Sequence, residues 1–162
     1  MIEIRRAENE DFDQIWLILH EVFLKGNTYA FSPDTTREEA FHLWIEMPLA
    51  TYVATENSNL VGTYFIKPNQ PGLGSHVCNA GYVVASNARG KGIGKLMCEH
   101  SLKEARKYGF KAMQYNFVVS TNQVAIELWK KCGFDIVGTL PKAFKHIEHG
   151  LVDVFIMYQW LN

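Results

Sequence analysis

The chain has 162 residues, 48% of them hydrophobic, with 16 basic against 17 acidic side chains. That length and apolar content suit one domain, residues 1–162, with a sizeable core. The near-neutral balance excludes the broad basic footprint expected for nucleic acid or an anionic membrane, and no apolar run approaches the roughly 20 residues of a spanning helix. Cys78, Cys98 and Cys132 are odd in number, widely spaced and without a CxxC pair. They argue against a disulfide framework or structural zinc, and the expectation is reduced core thiols. The opening "MIEIRRAENED" has no signal-peptide apolar stretch, so the expected location is the cytoplasm.

In chain order, "IEIRRA" alternates apolar and polar residues and predicts a short strand. From Asp11 to Lys25, Ile15, Ile18, Leu19, Val22 and Phe23 recur at helical spacing, and Gly26 is the expected stop. "TTREEAFHLWIEM" offers Thr35 or Thr36 as N-cap and Pro48 as terminator. "TYVATE" and "LVGTYFIKP" flank the turn "NSN" and predict a hairpin. "NQPGLGS" is a loop, and "HVCNAGYVVA" is the next strand. A helix is expected over Lys91 to Tyr108, closed by Gly109, followed by the strand "KAMQYNFVV". A last helix runs from Thr121 to Cys132 with Ala125, Leu128, Trp129 and Cys132 on its apolar face, and Phe134 is placed for a C-cap contact after Gly133. "DIVGTL" and "VDVFIMYQWL" are closing strands. The order β-α-α-β-β-β-α-β-α-β-β predicts a mixed α/β sheet with helices on both faces.

The stretch "ARGKGIGKLM" sets Gly90, Gly92 and Gly94 at alternate positions between a strand and a helix. A magnesium-binding P-loop needs Ser or Thr after its lysine, whereas Gly92 follows Lys91. A dinucleotide fingerprint needs G-x-G-x-x-G and an acid about 20 residues on, and Gln114 or Tyr115 stands there instead. An ordinary strand-to-helix loop gives three such glycines no packing use. The remaining reading is a metal-free pyrophosphate clamp. Backbone N–H groups and the positive end of the helix dipole converge on one spot, and Arg89, Lys91 and Lys95 add charge.

Arg89-Gly90-Lys91-Gly92-Ile93-Gly94 resembles the Q/R-x-x-G-x-G/A motif of the GCN5-related N-acetyltransferases. "TNQVAIELWKKCGF" resembles that family's N-x-x-A-x-x-L-Y-x-x-x-G-F signature, and spacing and element order fit over nearly the whole chain. The resemblance implies a mostly antiparallel sheet of six or seven strands whose fourth and fifth strands splay apart. It implies acetyl-CoA as cosubstrate, with Val83, Val84 and Ala85 along the pantetheine and Arg89, Gly90, Lys91, Gly92, Ile93 and Gly94 at the diphosphate. Asn122 matches the family's pantetheine-binding asparagine. It also suits a helix N-cap, and both roles can hold. The family's usual tyrosine, the supposed donor to the leaving thiolate, is Trp129 here. An indole N–H does not give up its proton near neutral pH, so the thiolate leaves unaided or another group serves.

A narrower similarity, carried by "GTYFIKPNQPGLGSHVCNAGYVV" and "PKAF", is to the fungal acetyltransferases that detoxify azetidine-2-carboxylate. It implies catalytic or substrate-binding roles for Asn79, Asn116 and Asn122, with Tyr82 alongside. Asn79 and Asn116 fall on neighbouring strands, where amides are not usual strand formers. They either hold a substrate carboxylate and amine or are satisfied buried amides. No glutamate stands on the fourth strand, so His76 or a bound water is the candidate base. His146 and His149 lack a third ligand, and no metal is expected. The reading is direct acetyl transfer to the amine of a small acceptor, a cyclic imino acid or amino acid. The alternatives are a peptide or polyamine acceptor, an acyl-CoA-binding regulatory module without catalysis, and a ping-pong route through a cysteine. A homodimer is possible.

Overall fold

The computed structural model describes all of Met1–Asn162. Seven strands form one sheet: β1 (Ile2–Arg6), β2 (Ala50–Glu56), β3 (Asn59–Pro68), β4 (Val77–Val84), β5 (Ala112–Val119), β6 (Asp135–His146) and β7 (Gly150–Trp160). Their spatial order is β1-β2-β3-β4-β5-β7-β6. Only β4 and β5 run parallel, and every other neighbouring pair is antiparallel. The helices are α1 (Phe12–Lys25), α2 (Arg37–Phe41), α3 (Ile93–Lys107) and α4 (Gln123–Lys131). The observed order of strands and helices is the expected one.

Alternation along β3 assigns the two faces. Thr63 and Phe65 point to α1 and α2, where the Trp44 indole N–H donates to Thr63 Oγ1 at 3.0 Å and meets Phe65 edge-on. Gly62 and Tyr64 point to α3: a Cβ at Gly62 would stand 3.0 Å from Met97, and Tyr64 bonds His100 Nδ1 at 2.6 Å. A single cluster of 35 buried residues spans both faces. Each large apolar side chain fully buried there contributes roughly 1.5–3 kcal/mol.

Helix boundaries follow local chemistry. Thr36 caps α2 through a reciprocal box: its hydroxyl accepts from Glu39 N at 3.2 Å and Glu39 Oε2 accepts from Thr36 N at 2.8 Å. The segment then widens into a π-helical turn over His42–Glu46 before Pro48. Gly26 and Gly133 adopt left-handed φ of 60° and 100° and end α1 and the α4 turn. The third and fourth helices begin two residues later than the sequence pattern suggests, at Ile93 and Gln123.

The larger departure is β6. The expected strand, "DIVGTL", ends at Leu140, just before Pro141. The strand instead runs on to His146 through a bulge between Leu140 and Phe144, with Lys142 at φ 53°. β6 is an edge strand, where a missing N–H at a bulge costs no ladder bond. The β6–β7 hairpin therefore reaches far enough to dock on the end of α1, where Ile147 N donates to Gly26 O at 3.3 Å. Its tip is closed by His146, whose Nδ1 accepts from Glu148 N at 3.0 Å and His149 N at 3.2 Å. Two donors on Nδ1 place the proton of the neutral ring on Nε2.

Replacing His146 with Ala strands those two amides, and the expected loss is about 1–3 kcal/mol of stability. His146→Asn, which can accept from a backbone N–H two residues on, should recover part of it. Thermal melting together with amide exchange at Glu148 and His149 checks this. Equal melting of wild type and His146→Ala would remove the ring from this capping role.

Candidate active site

β4 and β5 are joined over three rungs only, Val77–Ala112, Cys78–Met113 and Asn79–Gln114. At the last rung the Asn79 side chain bridges the strands, its Nδ2 donating to Gln114 O at 3.0 Å. Beyond it β4 stays with β3 as far as Val84–Gly62, and β5 follows β7 as far as Val119–Val154. The two strands part, and a cleft of about 1100 Å³ opens between them.

Backbone phase determines what β4 offers to this cleft. Ala85 N donates to Val61 O and Val77 O accepts from Asn69 N, so odd-numbered residues bond toward β3. Even-numbered residues therefore turn their main-chain groups away from β3: the last parallel rung engages the Ala80 N–H, and Tyr82 and Val84 face the open side. The Tyr82 carbonyl is already taken by the Tyr29 hydroxyl at 3.0 Å, which leaves its N–H. This corrects the expectation for Val83 and Ala85. The backbone of both belongs to the β3 side; Val83 reaches the cleft by its side chain, and Ala85 does not line it.

At the far end of the cleft lies the glycine loop. Gly90 and Gly92 have φ of 80° and 75°, and a Cβ on either would meet no atom within 4 Å. Both the conformation and the open space suit glycine. The first backbone bond of α3 is Leu96 N to Gly92 O at 3.1 Å. The N–H groups of Ile93, Gly94 and Lys95 thus have no helical acceptor, and the positive end of the helix dipole coincides with them. Gly94 has a different reason to be small, since a Cβ there would stand 3.0 Å from Leu128 Cδ2 on α4. Arg89 and Lys95 line the cleft. The Lys91 side chain does not: it pairs with Glu56 on β2 at 2.8 Å, contrary to the expectation of three converging cations.

Asn122 caps α4, Oδ1 accepting from Ala125 N at 3.3 Å, and it also lines the cleft with its Nδ2 unpartnered. Trp129 is half-buried with its ring centroid 4.9 Å from both Tyr82 and Tyr115. The Tyr82 hydroxyl bonds Ser101 Oγ at 2.6 Å and Tyr115 OH at 3.0 Å. Burial raises both phenols well above their ordinary pKa. Tyr82 therefore faces α3 and α4, whereas Asn79 faces α1 and α2, so the structure separates these two expected substrate residues. Asn116 shares the Asn79 face. It accepts from Gln114 Nε2 at 2.9 Å and donates to Asn69 Oδ1 at 2.7 Å, a three-amide relay.

No acid lies on β4, and His76 stands outside the cleft at the foot of the strand. Burial pushes the Cys78 thiol up to about 12 and the Cys98 thiol up as well, so neither is a ready thiolate near neutral pH. Three contributors complete the cleft: the segment around Tyr29 is expected from the sequence to shape the acceptor pocket, His146 and His149 read there only as candidate metal ligands, and Lys67 carries no sequence signal. Tyr29 closes on the β4 backbone from the α1–α2 loop, the hairpin tip brings His146 and His149 to the cleft, and Lys67 of β3 lines its floor.

A family model described as the Acetyltransferase (GNAT) family matches residues 9–134. N-acetyltransferase aca1 of Schizosaccharomyces pombe is 34% identical over 152 residues, the match covering 83% of this chain and 72% of that protein. A GCN5-related N-acetyltransferase from Kribbella flavida superposes with a TM-score of 0.94 at 39% identity, over 99% of this chain and 98% of that one. The yncA acetyltransferase structure from Salmonella typhimurium, solved with its cofactor acetyl-CoA, shares the fold at 21% identity and a TM-score of 0.85, over 100% and 95% of the two chains. A family match across most of the chain, joined to a relative above 30% identity, means that this protein belongs to the GNAT family of N-acetyltransferases.

Proposed function

We propose that this N-acetyltransferase moves an acetyl group from acetyl-CoA directly to the amine of a small acceptor, a cyclic imino acid or amino acid. The observation that carries the reading is the parted β4–β5 edge that runs into the amide-lined start of α3. A strand edge left open can pair with an extended arm, and a helix N-terminus without Cβ atoms in the way holds a phosphate. The Salmonella structure of the same fold carries acetyl-CoA, which supports this use of the cleft.

Acetyl-CoA supplies the acetyl group and a thiol leaving group. The amides of Ile93, Gly94 and Lys95 hold the diphosphate, with Gly90 and Gly92 keeping the approach clear and Arg89 and Lys95 adding charge. The Lys91 backbone lies in the same loop, although its side chain serves Glu56. Tyr82 and Val84 offer main-chain N–H groups along the open edge, so a carbonyl placed there is polarised without a charged residue. Asn122 contributes its free Nδ2 to the pantetheine. Asn79 and the relay around Asn116 orient the acceptor. The acceptor amine loses its proton to solvent, because β4 carries no carboxylate, and turnover should rise with pH toward the acceptor's own pKa. The raised Cys78 and Cys98 thiols favour direct transfer over a cysteine intermediate.

Gly92→Glu should abolish acetyl-CoA binding measured by calorimetry, because a carboxylate enters the diphosphate cradle. Its left-handed φ adds a fold cost of about 1 kcal/mol, readable by melting. A folded Gly92→Glu variant that binds normally would put the site elsewhere.

Trp129, standing where the family's tyrosine would, favours one second reading, a module that binds acyl-CoA without catalysis. Acceptor-dependent release of free coenzyme A separates the two. With a thiol of pKa near 8.5 leaving unaided, Trp129→Phe should retain turnover, and steady-state kinetics check it. Loss of turnover in a folded Trp129→Phe variant would give the indole a chemical role.

A further inference from the structure

We propose that Lys67 is the residue that selects the acceptor, by holding the carboxylate of an α-amino or α-imino acid against the floor of the cleft. The inference rests on the acetyltransferase reading above and names what that site recognises.

Lys67 pairs with Asn79 across β3 and β4, and Phe65 pairs with Gly81 one pleat further along. All four share the face that looks toward α1 and α2. The Lys67 residue is half-buried. It folds back along the strand until Nζ stands 5.5 Å from the centre of the Phe65 ring. That ring lies where Gly81 has no side chain, since a Cβ there would come within 2.7 Å of Phe65 Cε1. The ammonium is thereby brought over the cleft floor beside the first open rung of β4.

There no carboxylate stands within 4 Å of it, although Glu127 and Glu148 line other parts of the cleft. The six ion pairs of the chain leave Lys67 out, and no protein acceptor bonds its ammonium. Its neighbours on the floor are neutral amides. Asn79 spends Nδ2 on Gln114 O and keeps Oδ1 free, and Asn116 is satisfied by Gln114 and Asn69. A cation and a free amide acceptor side by side match the two polar ends of an amino acid: a carboxylate for Nζ and an amine N–H for Asn79 Oδ1. Consecutive rungs on one face of a strand are ~7 Å apart. An α-amine, two bonds from its carboxylate carbon, therefore reaches toward the open Tyr82 amide while the carboxylate stays on Lys67. A polyamine or a lysine-rich tail would instead bring positive charge to an unpaired ammonium.

The test compares each acid with its amide. Initial rates of coenzyme A release are measured with azetidine-2-carboxylate and proline against azetidine-2-carboxamide and prolinamide, for wild type, Lys67→Met, Lys67→Arg and Lys67→Glu. Wild type should prefer the acids on the order of ten- to a hundredfold in kcat/KM, the size of one charge-assisted bond. Lys67→Met should erase that preference through KM for the acid, leaving kcat for the amide and KM for acetyl-CoA as in wild type. Lys67→Arg should keep the preference and Lys67→Glu should invert it. A Lys67→Met enzyme that still prefers the acids would overturn the role of Lys67 while leaving the acetyltransferase reading intact. Wild-type turnover of spermidine or a peptide but of none of the four small acceptors would overturn both this assignment and the small-acceptor reading. Absence of release with every amine, despite acetyl-CoA binding, would overturn them in favour of the non-catalytic module.

Discussion

The chemistry of this molecule depends on one place where a sheet stops being a sheet. β4 and β5 are held together at Asn79–Gln114 and are apart immediately afterwards. Buried main-chain donors are normally paired, so an edge opened in the middle of a sheet is costly unless something else takes those groups. Part of the cost is met by the chain itself, through the Tyr29 hydroxyl on the Tyr82 carbonyl and the Asn79 amide on the Gln114 carbonyl. The N–H groups of Tyr82 and Val84 are left over, that of Ala80 being engaged by the last rung with β5. They are the groups that an extended ligand would satisfy, which makes the open edge a binding surface.

What keeps the strands apart is a wedge of rings. Tyr82 from β4, Tyr115 from β5 and Trp129 from α4 meet at centroid distances of 4.9 to 5.7 Å, with Phe134 stacked behind Tyr115 at 4.1 Å. Their hydroxyls are tied to Ser101 and to each other rather than aimed at the cleft. This arrangement gives Trp129 a structural occupation: the indole packs against both tyrosines, whose rings already meet each other edge-on. The same packing that raises the phenol pKa values makes them poor proton donors, which is why the proposed reaction draws on main-chain dipoles and a good leaving group.

Much of this was legible in the residues, and the rest was not for identifiable reasons. Local signals held: the order of elements, Gly26 as a stop, the α4 N-cap at Asn122, and the open backbone at Gly90 and Gly92 are all decided within a few residues of chain. The failures concern partners distant in sequence. Lys91 reads as a phosphate ligand until Glu56, 35 positions away, takes it. Gly94 reads as ligand clearance until Leu128 of α4 fills the space. Val83 and Ala85 were one step out of phase, because the pairing of β4 with β3 decides which carbonyls and amides face the cleft. Lys67 looked like an ordinary polar end to an apolar strand, and only its register with Asn79 brings it to the floor.

The placement of charge then follows from topology. The anion-seeking end of the cleft is built from amides at the start of α3, whose dipole adds to Arg89 and Lys95. The opposite end is built where β3, β4 and β5 still hold together, and it carries a lone ammonium among neutral amides. Between them lies a stretch lined by backbone and rings. In the proposed use of the cleft, a cosubstrate with its negative charge at one end and a neutral thioester at the other would lie along this gradient in one direction only, with the acyl group toward Lys67. A second reactant is then best bound when its own negative charge is small and held away from the reacting amine. The proposed α-amino acid acceptor would meet that condition, its carboxylate resting on Lys67 while its nitrogen turns to the open edge.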